Sequence, residues 1–381
     1  MGNFADYIAW RGDLRFSDSP FNEVDNLILA ELSYTIMEEI VPGPDSPDTV
    51  SLCEVCREYE RRGYSAKGNA NDAYPLLKVA AASARFGDLR VSAYVNEIDR
   101  ERDMQFAAVC FHLGDGRRYV SFRGTDNSIV GWREDFTICY LDETPGQVEA
   151  VRYLNRVGAA GEGELLVGGH SKGGNLAIYA SAFCESAIRD RITQVYSNDG
   201  PGFNQAVINT PEYAAVLEKV SFYLPECSMI GILLTNKAER TLVKSSAGGV
   251  QQHDPYTWQV LGPAFVTAES PSPASLFLDE TLRRWLDELS LSQRTDLVRA
   301  IFDSMEASGA QTLTELKASP RVSYSAILKA VRNMEPSLQK EVLKMAQRLA
   351  VTGYDVLKED AQTGVKEWLE QFGKSNEDKK G

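Results

Sequence analysis

The chain is expected to fold as an α/β protein. A mostly parallel central sheet should be flanked by an N-terminal helical segment and a C-terminal helical region. Three observations carry this expectation. Between Gln147 and Leu224, helix-forming runs alternate with short β-rich runs, which is how parallel strands joined by crossover helices read. Within that region, Leu165-Leu166-Val167-Gly168-Gly169-His170-Ser171-Lys172-Gly173-Gly174 sets an apolar run, a Gly-x-Ser-x-Gly turn and a helix-forming run in order. Finally, the stretches on either side keep helical spacing of their apolar residues.

Residues 1–88 read as a helical segment packed on the core. Asn22 to Ile40 carries Val24, Leu27, Ile28, Leu32 and Ile36 close to helical spacing, and Leu52–Tyr64 and Pro75–Arg85 follow as further helices. From Leu89 the period changes to two. Val91, Ala93 and Val95 alternate with polar residues, and the β-rich runs Phe106–Leu113 and Tyr119–Phe122 are separated by the turn Gly114-Asp115-Gly116. This predicts an antiparallel meander entering the sheet. A helix near Gln147–Val157, a strand Glu164–Gly168, a helix Asn175–Ile188 and strands Ile192–Asn198 and Val220–Leu224 come next, so the core is expected over residues 89–270. After Pro271-Ser272-Pro273 the chain, residues 271–381, reads as helical to its end. Leu297, Ile301 and Met305, then Leu338, Val342, Met345 and Leu349, mark packing stripes, with Pro320 and Pro336 opening the last two helices and a frayed tail over Lys374–Gly381.

Composition narrows the function. At 381 residues, 43% hydrophobic and 25% charged, the chain has ordinary globular make-up. No run reaches the ~18 consecutive apolar residues of a membrane span. The formal charge of −14 argues against nucleic acid, which needs a basic stripe, and against adsorption to anionic lipid. Met1-Gly2-Asn3-Phe4-Ala5-Asp6-Tyr7 has neither the basic region nor the apolar core of a secretory leader, so a cytoplasmic location is expected. Cys53-Glu54-Val55-Cys56 has no second pair at zinc-site distance and lies in a helical run. Two reduced thiols are expected there, and no metal or cofactor.

Ser171 is the candidate nucleophile. The sharp turn lifts its hydroxyl above the strand, and the following helix offers unpaired N–H groups to an anion. A serine needs a base, and the base an orienting acid. Of three histidines, His170 is adjacent to the serine and should pack away from the site, and His112 sits in an apolar strand. That leaves His253, in the loop Gln251-Gln252-His253-Asp254-Pro255-Tyr256-Thr257-Trp258. Asp199, just past the strand Ile192–Asn198, is the expected acid, with Glu226 the alternative. Asp254 is too close in sequence to reach its neighbour's Nδ1 and reads as a turn-former. The backbone of Lys172 should supply one oxyanion donor, and Thr125, in Ser121-Phe122-Arg123-Gly124-Thr125, a second. Arg123 is expected to pair with Asp135.

Val120-Ser121-Phe122-Arg123-Gly124-Thr125, Gly131-Trp132, Asp135, Gly169-His170-Ser171-Lys172-Gly173-Gly174 and His253 with Tyr256 and Trp258 together resemble the class 3 (fungal-type) lipases. The Phe21-Asn22-Glu23-Val24-Asp25-Asn26 opening, the lysine after the serine, Asp199-Gly200-Pro201-Gly202-Phe203 and the Gln252-His253-Asp254-Pro255 loop resemble an uncharacterised bacterial branch of these proteins. The resemblance implies an α/β-hydrolase with Ser171, His253, Thr125 and Lys172 in the roles above. One departure stands out: where class 3 lipases keep their acid, Cys227-Ser228-Met229-Ile230 places Ser228. The acid is therefore expected one strand earlier, at Asp199, where pancreatic-type lipases hold theirs. The expected activity is cleavage of a small-molecule or lipid-like ester through an acyl-enzyme. The competing expectation is a degenerate hydrolase fold that only binds, for which Ser228 is the best support.

Overall fold

The computed structural model describes residues 2–64, 73–126, 128–138, 140–272, 275–276, 288–306, 311–312, 315, 334–342 and 344. Helices α1 (Phe4–Arg11) and α2 (Glu23–Leu32) come first, followed by the short strand β1 (Val50–Ser51), α3 (Leu52–Arg61) and α4 (Tyr74–Ala81). Asn3, Asn22 and Ser51 each close a capping box, with the residue three places on reaching back to the cap. The helix expected to run to Ile40 stops at Leu32. There Ser33, Tyr34 and Thr35 bond back three residues and the Ser33 hydroxyl takes the Ala30 carbonyl, tightening the end into a turn.

The meander β2 (Arg90–Asp99), β3 (Met104–His112) and β4 (Arg118–Phe122) is antiparallel, as its alternation predicts. Then follow α5 (Ile129–Thr137), α6 (Pro145–Ala159), β5 (Leu165–His170), α7 (Lys172–Phe183), α8 (Ser186–Arg189), β6 (Ile192–Asn198), α9 (Gln205–Ile208), α10 (Pro211–Val216), β7 (Val220–Pro225) and β8 (Arg240–Val243). Strands β4 to β8 pair in parallel. A small hairpin of β9 (Val260–Leu261) and β10 (Ala264–Phe265) follows. The helix read as one run over Asn175–Ile188 is two, α7 and α8, because Cys184 takes an extended conformation between them.

The eight strands of the main sheet lie side by side in chain order. Right-handed crossovers between strands added in order all return on one face. Accordingly Ala150 and Leu154 of α6, Leu176 and Ile178 of α7 and Tyr213 of α10 share one core with Ala108, Val120, Val167 and Val195. Among the described residues, no crossover helix covers the opposite face. Its side chains, Val109, Phe111, Tyr119, Leu166, Tyr196 and Tyr223, are buried by α1 to α4 instead. Alternation along each strand thus splits the interior into two layers. Helix α2 is buried on nearly all sides and lies over β5.

Beyond the sheet, α11 (Leu291–Glu306) packs on α5 through Ile129, Val298 and Phe302, and a helical stretch over residues 336–342 meets it through Leu297 and Leu338. Met345, Leu349, Pro320 and the tail Lys374–Gly381 lie outside the described residues. Among those described, no helix is long and apolar enough to cross a membrane.

Candidate active site

Strand β5 ends at His170 and α7 begins at Lys172, so Ser171 alone makes the turn. Its φ of 58° and ψ of −131° are sparsely populated for a residue with a side chain, and such strain persists only where the surroundings impose it. The surroundings here are closely packed, by the Tyr34 hydroxyl as well as by backbone. A Cβ on Gly173 would stand 2.1 Å from the Phe122 carbonyl oxygen, and one on Gly124 would stand 2.6 Å from the His170 carbonyl oxygen and 3.2 Å from Ser171 Cβ. The Gly124–Thr125 loop therefore passes directly beside the serine. Below the turn, Ser171 N–H donates to the Asn198 carbonyl at 2.9 Å. Asn198 also bonds the Gly169 carbonyl and the amide of Asn26, which Tyr119 holds from β4.

Sequence order gave Ser171, His253 and Asp199 no obvious proximity, yet the structure brings them together. His253 Nε2 lies 3.1 Å from Ser171 Oγ, and Nδ1 lies 2.6 Å from Asp199 Oδ2. The imidazole is 26% exposed and the carboxylate fully buried, so the hydroxyl side faces outward and the acid side is dry. Asp199 Oδ1 accepts from Ser228 Oγ at 2.5 Å and from Gly231 N–H at 3.1 Å. Ser228, standing at the place where the resembled family keeps its acid, is thus a partner of Asp199. Glu226 is not brought to the imidazole; its backbone bonds Val243 and Ser272.

The loop bearing His253 is a 3₁₀ turn over Gly249–His253 followed by another over Pro255–Thr257. Asp254 caps the second by accepting from Tyr256 N–H at 3.0 Å, as expected of a turn-former. Gln252 accepts from Cys227 N–H, and the indole of Trp258 donates to the Gln252 carbonyl. Asn3 donates to the Tyr256 carbonyl, and Phe4 packs on the Tyr256 ring. The spacing of Tyr256 and Trp258 from His253 has its physical account in these anchors.

Lys172 opens α7, where the first N–H groups have no acceptor within the helix. Its side chain runs inward: Nζ donates to the Gln105 carbonyl and Oε1, both at 2.7 Å, and to Glu134 Oε2 at 2.9 Å. Thr125 donates its hydroxyl to Asp135 Oδ2. Burial, with Glu134 and Asp126 nearby, pushes the Asp135 carboxyl from its ordinary 3.8 up to about 7, against the opposing pull of Lys172 and the Thr125 hydroxyl. The expected Arg123–Asp135 pair does not form. Arg123 bonds Asn96 and approaches Asp126 at 3.5 Å, because its guanidinium turns toward β2 while Asp135 on α5 faces Thr125.

His112 bonds Ser92 at 2.8 Å, and burial, with Arg118 and Arg90 nearby, lowers its pKa. Cys53 and Cys56 lie in α3. His170 does not pack away from the site: its ring lies 4.7 Å from the His253 ring. Sequence reasoning missed His170, Asn26, Asn198 and Ser228, whose only sequence signal was membership of short motifs. Among the described residues, no group of three or more His, Cys, Asp and Glu is placed to hold a metal ion.

A serine raised on a strained strand-to-helix turn, over a mostly parallel sheet in an α/β-hydrolase-like arrangement, defines a lipase-like fold. The family model for Mbeg1-like proteins matches residues 80–303, more than half of the chain. The chain belongs to the Mbeg1-like family, which is related to lipase-like proteins. No curated protein matches it.

Proposed function

We propose that this chain is a serine hydrolase that cleaves carboxylic esters through an acyl-enzyme. The observation that carries the reading is the unbroken hydrogen-bonded run from Ser171 Oγ through the His253 ring to Asp199. Ser171 Oγ attacks the ester carbonyl carbon while His253 Nε2 takes its proton. The N–H groups of Thr125 and Lys172 hold the oxyanion. His253 returns the proton to the departing alkoxide as the carbonyl–oxygen bond breaks. Water, deprotonated by the same ring, then releases the acid and restores Ser171. Asp199 fixes the ring with Nδ1 protonated and stabilises the imidazolium. Lipid-like esters are the substrate class favoured by the likeness to class 3 lipases, and thioesters share the chemistry.

The alternative of a fold that only binds rested on Ser228. A buried carboxylate bonded to Nδ1 beside that serine supports the catalytic reading over it. The test is labelling of the purified protein with a fluorophosphonate probe. Rapid labelling that disappears in Ser171→Ala is expected; no labelling of the wild type would return the binding module as the better account. Turnover of p-nitrophenyl esters of rising chain length, beside peptide substrates, then assigns the acyl class, and turnover of peptides alone would overturn the esterase reading.

A further inference from the structure

The mechanism above makes no use of His170, yet both nitrogens of its ring face acceptors. Nε2 lies 3.0 Å from the backbone carbonyl oxygen of His253, and Nδ1 lies 3.1 Å from Glu31 Oε1. The side chains of His170 and Glu31 are 7% and 9% exposed. A neutral imidazole has one N–H and one lone pair, so either tautomer would set a lone pair against an oxygen. Only the imidazolium gives Nε2 a proton for the His253 carbonyl and also sets a positive charge, not a lone pair, 3.1 Å from Glu31 Oε1. Oε1 meets the ring as an ion partner and not as an aligned hydrogen-bond acceptor.

The groups facing this ring come from every neighbouring element. Glu31 belongs to α2 and Tyr34 to the turn after it; Asp199 stands past β6, and His253 lies in its loop. Burial works against the cation, but Glu31, Asp199 and the His253 carbonyl outweigh it and hold the His170 pKa above the ordinary histidine value. Gln252 is anchored by Cys227 and Trp258; the His253 carbonyl is held by His170 from a neighbouring element, while the Asp254 N–H of the same peptide bonds only within its own turn, to the Gln251 carbonyl at 3.2 Å.

We propose that His170, as the imidazolium partner of Glu31, is a positioning residue that fixes the peptide of His253 and so sets the reach of its ring to Ser171. The inference rests on the serine-hydrolase reading. It ties the base to α2, so the helical layer on the far face of the sheet takes part in preparing the site. The sign of the pH effect follows. A raised pKa means that the support is present at low pH and is lost as pH rises through the folded-state pKa of His170. Activity should therefore gain an alkaline limb.

The experiment measures the rate of fluorophosphonate inactivation of the full chain from about pH 6 to pH 10, with saturation kinetics separating maximal rate from probe affinity. The wild type is compared with His170→Gln, His170→Phe, Glu31→Gln and Ser171→Ala. Glu31→Gln removes the anion and should move the alkaline limb down by about one pH unit or more. His170→Gln keeps an N–H donor that does not titrate, so the limb should vanish while the neutral-pH rate suffers less than in His170→Phe. His170→Phe removes the donor and should lower the maximal rate by about 10²-fold with probe affinity retained. Glu31→Gln and His170→Gln carry the test if His170→Phe fails to fold. Labelling at Ser171 with the same alkaline behaviour in all variants would overturn the positioning role and leave the hydrolase standing. A wild type that never labels overturns both.

Discussion

Asp199 shows how much one residue is asked to do. Its φ of 50° lies in the left-handed region, which costs a non-glycine residue about 1–2 kcal/mol. That conformation turns both carboxylate oxygens to account, one on His253 and the other on Ser228 and Gly231. Asparagine tolerates the same backbone, so Asp199→Asn should keep the thermal midpoint while kcat falls by about 10⁴, as loss of the acid does in a serine protease. Glu226→Gln should leave kcat alone. The reverse pattern in ester hydrolysis would reassign the acid. Much at this scale was legible in the chain: with three histidines, one beside the serine and one in an apolar strand, His253 followed by elimination. The contacts of His170 and Ser228 were not, because each depends on which strand end or loop lies alongside, and no local pattern encodes that. Arg123 misled for the same reason. Its partner was chosen by charge, and the fold turned the guanidinium toward Asn96.

Elements meet the site through buried polar ties. Lys172 joins the start of α7 to β3 through Gln105 and to α5 through Glu134, whose other oxygen takes Gly146 N–H at the head of α6. Removing one member of a buried pair leaves an uncompensated charge and costs about 3–5 kcal/mol. Lys172→Met should therefore lower unfolding stability by that order in a denaturant titration, and Lys172→Met with Glu134→Gln should recover most of it. An undiminished midpoint in the single variant would show that the pair is not what holds α7 to α5. The sequence reading took Lys172 for its backbone alone, since a lysine beside a serine on a strand-to-helix turn looks solvent-facing until Glu134 is brought underneath. Strand and helix types were largely readable from period. The ends were less so, as the early stop of α2 at Leu32 shows, where the Ser33 hydroxyl competes for a helix carbonyl.

For the molecule as a whole, strand order decides what must cover what. Among the described residues, eight strands in chain order put the crossover helices on one face, so the other face depends on α1 to α4. The N-terminal segment should accordingly not be a removable appendage. A chain lacking residues 1–88 exposes Phe111, Tyr119, Leu166 and Tyr223, and should elute as aggregate in size-exclusion chromatography. A monodisperse, labelling-competent truncation would show that those helices are dispensable. The alternation of helices and strands announced the parallel sheet, but the side on which each layer falls was not visible before β1 to β8 were ordered.

The meeting of Ser228 with Asp199 carries a wider lesson. The ends of β6 and β7 are neighbours, so a negative charge launched from either one can arrive at the same ring nitrogen. What the imidazole requires is a location in space, and two addresses in the chain lead there. A survey that scores relatives by one aligned aspartate would discard chains whose charge comes from next door, and the triplet should be sought by distance.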